Sequence, residues 1–252
     1  MILKEDILRG IGDHRYDVKI AQNKAEVRKA QELRYRVFGD ELKRNFEFHG
    51  KIDQDEYDAQ YHHLIVIDKA TGDAIGTYRL QTYSQAINGH GFKTNERFQL
   101  NQLPQEIIEN AFEVGRVCVL SDHRNGRVLY LLWKGLAGYL KHFQCRYLFG
   151  YLALHTQHPN IAMNSLQFFK QNGYIHEEIS IDVQPGFECS THPKFHEEKT
   201  EVDFPPLFKN YLNIGCKICS LPSCCRRTKL IHFFILLDVE LVPQRYKEMF
   251  GV

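Results

Sequence analysis

The chain has 252 residues, 43% apolar and 25% charged, with a formal net charge of +1, the proportions of a soluble folded protein with no global field for nucleic acid. Its longest apolar run, residues 233–237, is far too short to cross a bilayer. Residues 1–15 mix charges of both signs without an apolar core, so no signal peptide and a cytoplasmic location are expected.

In chain order, residues 24–43 set Val27, Ala30, Leu33, Val37 and Phe38 near helical spacing, which predicts a helix. Residues 44–60 are acidic and aromatic and read as a loop holding Asp53, Asp55, Glu56 and Asp58. Strands follow at 63–68 and 74–80, joined by the turn-rich 69–73 as a hairpin. Residues 83–97 read as a polar loop, and Pro104 opens a short helix over 105–111. A strand at 113–119, a polar loop at 121–127 and an apolar helix over 128–143 come next. A buried strand at 146–152 precedes a helix at 161–172 that stops at Gly173. The alternation of 177–183 predicts a strand, 185–206 a connecting loop, 207–214 a helix and 230–241 a last strand. Alternating helices and strands imply an α/β domain with a mixed sheet.

The stretch Glu113-Val114-Gly115-Arg116-Val117-Cys118-Val119 carries a charged pair through a valine-rich strand. Buried charge is costly unless paired or used, and a carboxylate beside a guanidinium can steer a proton and hold an anion. The loop Arg124-Asn125-Gly126-Arg127 ahead of a helix N-terminus has the makings of a phosphate cradle. Seven cysteines, an odd number, suit a reducing compartment better than a disulfide framework. Neither Cys216-x2-Cys219 with Cys224 and Cys225, nor Cys189-x2-His192-x3-His196, has the separated pairs of common zinc modules, so no metal site is expected.

Several ordered motifs carry a resemblance. Arg34-Tyr35-Arg36-Val37-Phe38 stands first, then Asp55-Glu56-Tyr57-Asp58 with His63-Leu64, then Gly76-Thr77-Tyr78-Arg79-Leu80. The Glu113 strand follows, with Leu132-Trp133-Lys134-Gly135-Leu136-Ala137 and Leu148-Phe149-Gly150 after it. Pro205-Pro206-Leu207 and Lys209-Asn210-Tyr211-Leu212 come last. In this order they resemble the GNAT-fold N-acyltransferases of amino acids, above all the ornithine N-acyltransferases of lyso-ornithine lipid synthesis, often labelled hemolysin-like. They are distantly similar to acyl-homoserine-lactone synthases. The resemblance runs from about Glu32 to Phe250.

The resemblance implies an α/β GNAT (acyl-CoA N-acyltransferase) fold, a mixed twisted sheet flanked by helices. Residues 1–184 would form the core and 185–252 a C-terminal extension packing on it as one unit. It implies transfer of a long (3-hydroxy)acyl chain from acyl carrier protein, or from coenzyme A, to the α-amine of an amino acid, ornithine first. No cofactor is implied beyond the thioester donor, and no metal. Glu113 and Arg116 would be catalytic, with Arg116 also joining Arg34, Asp55, Asp58 and Arg79 in a charged network at the acceptor. Backbone near Val117 and Val119 and the loop Arg124, Asn125, Gly126 and Arg127 would bind the donor. Arg124, Arg127, Lys134, Lys141 and Arg146 form a basic set suited to an acidic carrier protein, and Leu132, Trp133, Leu136, Phe149 and Phe168 would line an acyl tunnel. A lipid product allows transient contact with the inner membrane surface.

Departures also stand in the sequence. Arg44 occupies a position where lactone synthases carry tryptophan, and Phe169 one where many GNAT enzymes carry an acidic tyrosine. Cys225 and His232 fall where relatives have aspartates. The competing readings are a lactone-type signal synthase and a non-catalytic module that binds a thioester or lipid.

Overall fold

The computed structural model describes residues 7–8, 10–44, 46–48, 50–189 and 202–250. An eight-stranded sheet forms its centre. Strand β1 (Tyr16–Ile20) leads to helix α1 (Lys24–Arg34), capped by the Asn23 side chain and widened into a π-helical turn over Tyr35–Glu41. A short 3-10 turn, Glu56–Ala59, precedes the hairpin β2 (His62–Asp68) and β3 (Ala74–Thr82). Helices α2 (Tyr83–Ile87) and α3 (Gln105–Glu109) lead into β4 (Ala111–Val119). Helix α4 (Arg127–Phe143), β5 (Tyr147–Leu154) and α5 (Pro159–Gln171) follow. The chain closes with α6 (Pro206–Asn213), β6 (Lys217–Ile218), β7 (Ser223–Cys225), β8 (Leu230–Asp238) and α7 (Gln244–Phe250).

The sheet runs β1-β2-β3-β4-β5-β8-β6, with β7 also on β8, and every pairing is antiparallel except β4 with β5. One face packs under α4 through Val18, Leu64, Leu80, Phe112 and Leu132. The other meets α1 through Leu33, Val37 and Cys118, and through Ala30 and Ile65. This is an open, mostly antiparallel α/β sheet flanked by helices, as the GNAT reading requires. No helix of the described residues is long and apolar enough to cross a membrane.

Several elements differ from the sequence expectation. β1 was not anticipated, although Tyr16, Val18 and Ile20 alternate with Asp17 and Lys19 and are buried while their neighbours are not. Residues 177–183 form no strand; Ile181 and Val183 make only isolated bridges to Ser220 and Phe98. The expected loop 83–97 holds α2, started by a capping box between Thr82 and Gln85, and a 3-10 turn at Lys93–Glu96. Cys189 and Cys224 are bonded, with Cα atoms 5.0 Å apart, contrary to the fully reduced chain expected. The bridge of Glu188 to Ser223 brings the two neighbouring thiols together, which linear spacing could not reveal. His192 and His196 lie outside the described residues.

Two features of β4 position the site. Opposite Tyr78 the register jumps from Arg79↔Gly115 to Thr77↔Cys118, a bulge in which Arg116 takes φ +52°. Parallel pairing with β5 then stops at Glu113↔Phe149, although both strands continue, so they diverge into a wedge. Gly150 marks the point of divergence, because a Cβ there would stand 2.5 Å from the Val114 carbonyl oxygen. Gly150→Ala is expected to push the strands apart and cost about 1–3 kcal/mol in urea unfolding. A loss within error would mean that the contact yields freely.

Candidate active site

A single cavity of about 910 Å³ fills the wedge and reaches both faces of the sheet. Its apolar arm is lined by Leu129, Leu152, Phe208, Tyr211 and Ile235. Its polar arm holds Asp53, Asp55, Arg79, Glu113 and Arg116. One space thus offers an apolar chain and a charged group a common meeting point at the β4 bulge.

The polar arm rests on an almost dry ion network. Arg34, 1% exposed, donates from Nε to Asp53 at 3.0 Å and from Nη2 to both Asp58 oxygens at 2.9 Å. Arg79 donates to Asp55 at 2.6 Å and Asp58 at 3.2 Å, with its guanidinium 4.5 Å from the Tyr61 ring centre. Burial pushes the Asp58 carboxyl upward, but Arg34 and Arg79 outweigh it and hold it well below the usual carboxylate range. The same opposition, with Arg79 ahead of Arg116, lowers Asp55. Buried Asp55 Oδ2 has no hydrogen-bond partner and faces Arg116 Nη2 at 3.8 Å.

Buried His63 braces this network, whereas its buried neighbour His62 bonds Tyr139 and Gln85 instead. Arg34 can only donate, so His63 Nδ1 accepts from it at 3.3 Å and Nε2–H donates to the Asp58 carbonyl at 3.1 Å. Burial lowers His63 to about 4 and His62 to about 3. An unfolded histidine takes its proton near pH ~6.5. The unfolded chain therefore binds more protons between that value and the native ones, so stability is full above it and is lost as pH falls toward 4. The urea midpoint is expected to drop between pH 7 and pH 5; an unchanged midpoint would contradict neutral buried imidazoles.

Glu113 and Arg116 do not pair. The bulge turns Arg116 toward Asp53 at 3.4 Å and stacks its guanidinium 4.7 Å from the Phe46 ring. Glu113, 2% exposed, instead accepts four hydrogen bonds: Thr94 N–H at 2.7 Å, Thr94 Oγ1–H at 2.6 Å, Lys93 N–H at 3.1 Å and the Tyr61 hydroxyl. Burial raises its pKa despite these donors. Burial and the Glu113 charge push Tyr61 well above the ordinary phenol, so its hydroxyl keeps its proton.

On the donor side, Leu120 N–H donates across the ladder to Ile75, so strand alternation turns Val119 N–H away from β3 and toward the wedge. Val117 lies in the bulge itself. Gly126, at φ +86°, turns the chain into α4, with the Asn125 side chain accepting from Arg127 N–H. The basic set is less free than its sequence suggests. Arg124 pairs with Glu41, Arg127 with Asp13, and Arg146 with Asp238 and Glu240. The expected tunnel residues line no part of the cavity. Leu132, Leu136 and Phe149 are core, Phe168 is 38% exposed, and Trp133 borders a separate groove beside α7. The apolar arm is built instead by Leu129, one turn earlier on α4, by Phe208 and Tyr211 of α6, and by Leu152 and Ile235 of β5 and β8.

Sequence reading passed over Asp53, Tyr61, Thr94 and Arg97 as site residues. Asp53 carried a signal, standing in the same acidic segment as Asp55. Arg44 lines the cavity mouth, where it contacts His155, and burial lowers it to about 10.

Residues 33–134 match the acetyltransferase (GNAT) domain. L-ornithine N(alpha)-acyltransferase of Brucella abortus is 27% identical, covering 93% of this chain and 88% of its own. Its namesakes from Rhizobium meliloti and Agrobacterium fabrum are 27% and 28% identical over 93% of this chain and cover 84% and 85% of their own. Among solved structures, the AHL synthase LasI superposes with a TM-score of 0.48 at 12% identity, covering 95% of this chain and 96% of its own. FeeM, an N-acyl amino acid synthase from uncultured soil microbes, gives 0.48 at 9% identity, covering 90% and 92%.

Proposed function

We infer that this chain, which carries a GNAT domain and is homologous along nearly its whole length to ornithine N-acyltransferases, moves a long acyl group from a thioester to the α-amine of an amino acid. Ornithine is the first acceptor to test and a 3-hydroxyacyl carrier protein the first donor, with coenzyme A thioesters second. The observation that carries the reading is the wedge between β4 and β5. It joins an apolar arm to a charged arm through one bulged strand.

The acyl chain lies along Leu129, Leu152 and Phe208, and the pantetheine follows the open edge of β4 toward Gly126 and the start of α4. Backbone N–H groups at Val117 and Val119 face the thioester oxygen as it gains charge. The carboxylates of Asp53 and Asp55, which line the polar arm, draw in the acceptor ammonium. The ammonium first gives one proton to water; as the resulting amine adds and the C–N bond forms, its second proton passes to the Tyr61 oxygen while the Tyr61 proton moves to Glu113, a carboxylate whose basicity burial has raised. The C–S bond then breaks, the thiolate takes a proton from solvent, and Glu113 returns its proton to solvent through Tyr61, restoring the starting state. Cys118 takes no part as a nucleophile, since burial pushes its thiol far above neutrality. The reaction occurs in the cytoplasm, and its lipid product leaves at the inner membrane surface.

Purified protein incubated with 3-hydroxyacyl carrier protein or the matching coenzyme A ester, and with single amino acids, tests this. Thiol release coupled to an N-acyl amino acid of the expected mass supports it. Thiol release without an amide product, or a lactone in its place, refutes it.

A further inference from the structure

The cavity has a second charged wall that the mechanism above does not use. Arg97 is 7% exposed, lines the cavity, and carries a buried Nε with no hydrogen-bond partner. Among the described residues it makes no ion pair; its guanidinium lies 5.3 Å from the Phe187 ring and 5.7 Å from the Tyr151 ring. Tyr151 in turn packs on His232, with ring centres 4.9 Å apart. His232 is 2% exposed, and its Nδ1 also lacks a partner. Strand alternation sets Tyr151 on the face of Phe149, and pairing of Tyr151 with Phe234 sets His232 there as well. Phe149 is the register partner of Glu113, so this wall faces the same side of the sheet as the ion network, across the wedge.

A buried guanidinium without a counter-ion is costly, and aromatic faces repay only part of that cost. Arg34 and Arg79 have carboxylates; Arg97 has an open cavity. The donor phosphates have their own place at the start of α4, whereas Arg97 adjoins the arm assigned to the acceptor. We propose that Arg97, with His232 beside it, binds the α-carboxylate of the acceptor amino acid and of the N-acyl product, and so makes the enzyme select free amino acids over amides and simple amines. A guanidinium receives a carboxylate in two parallel hydrogen bonds, which fixes the α-carbon and thereby aims the neighbouring amine at the thioester. This rests on the acyl-transfer reading for the identity of the ligand, but not for the existence of the anion site.

Titration calorimetry with N-dodecanoyl-ornithine and its carboxamide tests the proposal. The wild-type protein is expected to bind the acid about 10- to 100-fold more tightly than the amide. Arg97→Gln, with its melting temperature as a check on folding, is expected to bring the two to within about threefold by weakening the acid alone. The wild-type comparison needs no variant and holds even if Arg97→Gln fails to fold. Equal binding of acid and amide, binding of neither, or a folded Arg97→Gln that keeps the preference overturns the proposal. An acid preference without any acyl transfer in the reconstituted assay leaves the anion site standing and removes the reaction. Transfer without an acid preference does the reverse.

Discussion

Asp58→Asn is expected to cost about 3–5 kcal/mol of unfolding free energy and lower the melting temperature by about 10 °C. The substitution keeps the shape and removes one charge from a place where water cannot replace it. Asp58 receives Arg34 on both oxygens at 2.9 Å and Arg79 at 3.2 Å, and the same carboxylate caps its own turn through Asp55 N–H at 3.2 Å. Asparagine offers one oxygen to these donors and leaves three arginines facing Asp53 and Asp55 alone. The pH dependence separates charge from packing. Asp58 is held below the ordinary carboxylate, so its contribution is complete above the unfolded pKa of about 3.9 and fades as pH falls through the lower native value. The gap between wild type and variant should therefore close in acid. A loss under about 1 kcal/mol, or a gap independent of pH down to the acid transition, would mean the network is solvated.

The second large effect falls on turnover. Glu113→Gln is expected to lower kcat by about 10²- to 10⁴-fold with KM for the donor little changed. Glutamine can still accept from Thr94 N–H and Oγ1–H, so the loop at residues 93–94 stays in place, but it cannot take the proton that Tyr61 relays. Tyr61→Phe interrupts the same relay one atom earlier, and the double variant should be no slower than the worse single one. Activity within tenfold of wild type for folded Glu113→Gln would make Glu113 a structural anchor and require another base.

The charged network was legible only through the ordered motifs that carry the family resemblance. Asp55 and Asp58 are three apart on one capped turn, Arg34 ends the first amphipathic helix, and Arg79 sits in a strand of a hairpin closed by a short turn. Fold class followed from the same alternation of elements. Other features depend on how the strands meet. Arg116 does lie beside Asp55 in the charged network, but its pairing with Glu113 was misread because a bulge rotates its side chain away, and nothing in Glu113-Val114-Gly115-Arg116 announces a bulge except Gly115. Arg97 and His232 are far apart in sequence and meet only because β8 enters the sheet beside β5. Residues 177–183 alternate well, yet find no strand edge to pair with along their length. The tunnel residues were misplaced by one helical turn on α4: periodicity gives the buried face but not which part of it borders a cavity.

The most direct test of acyl transfer to an amino acid is mass spectrometry of lipid extracts from cells expressing the wild-type chain beside cells expressing Glu113→Gln at equal soluble level. A new N-acyl amino acid, ornithine-linked first, present with wild type and nearly absent with the variant, is the predicted result and identifies acceptor and acyl length together. Identical lipid profiles from the two strains, with both proteins folded, would contradict it.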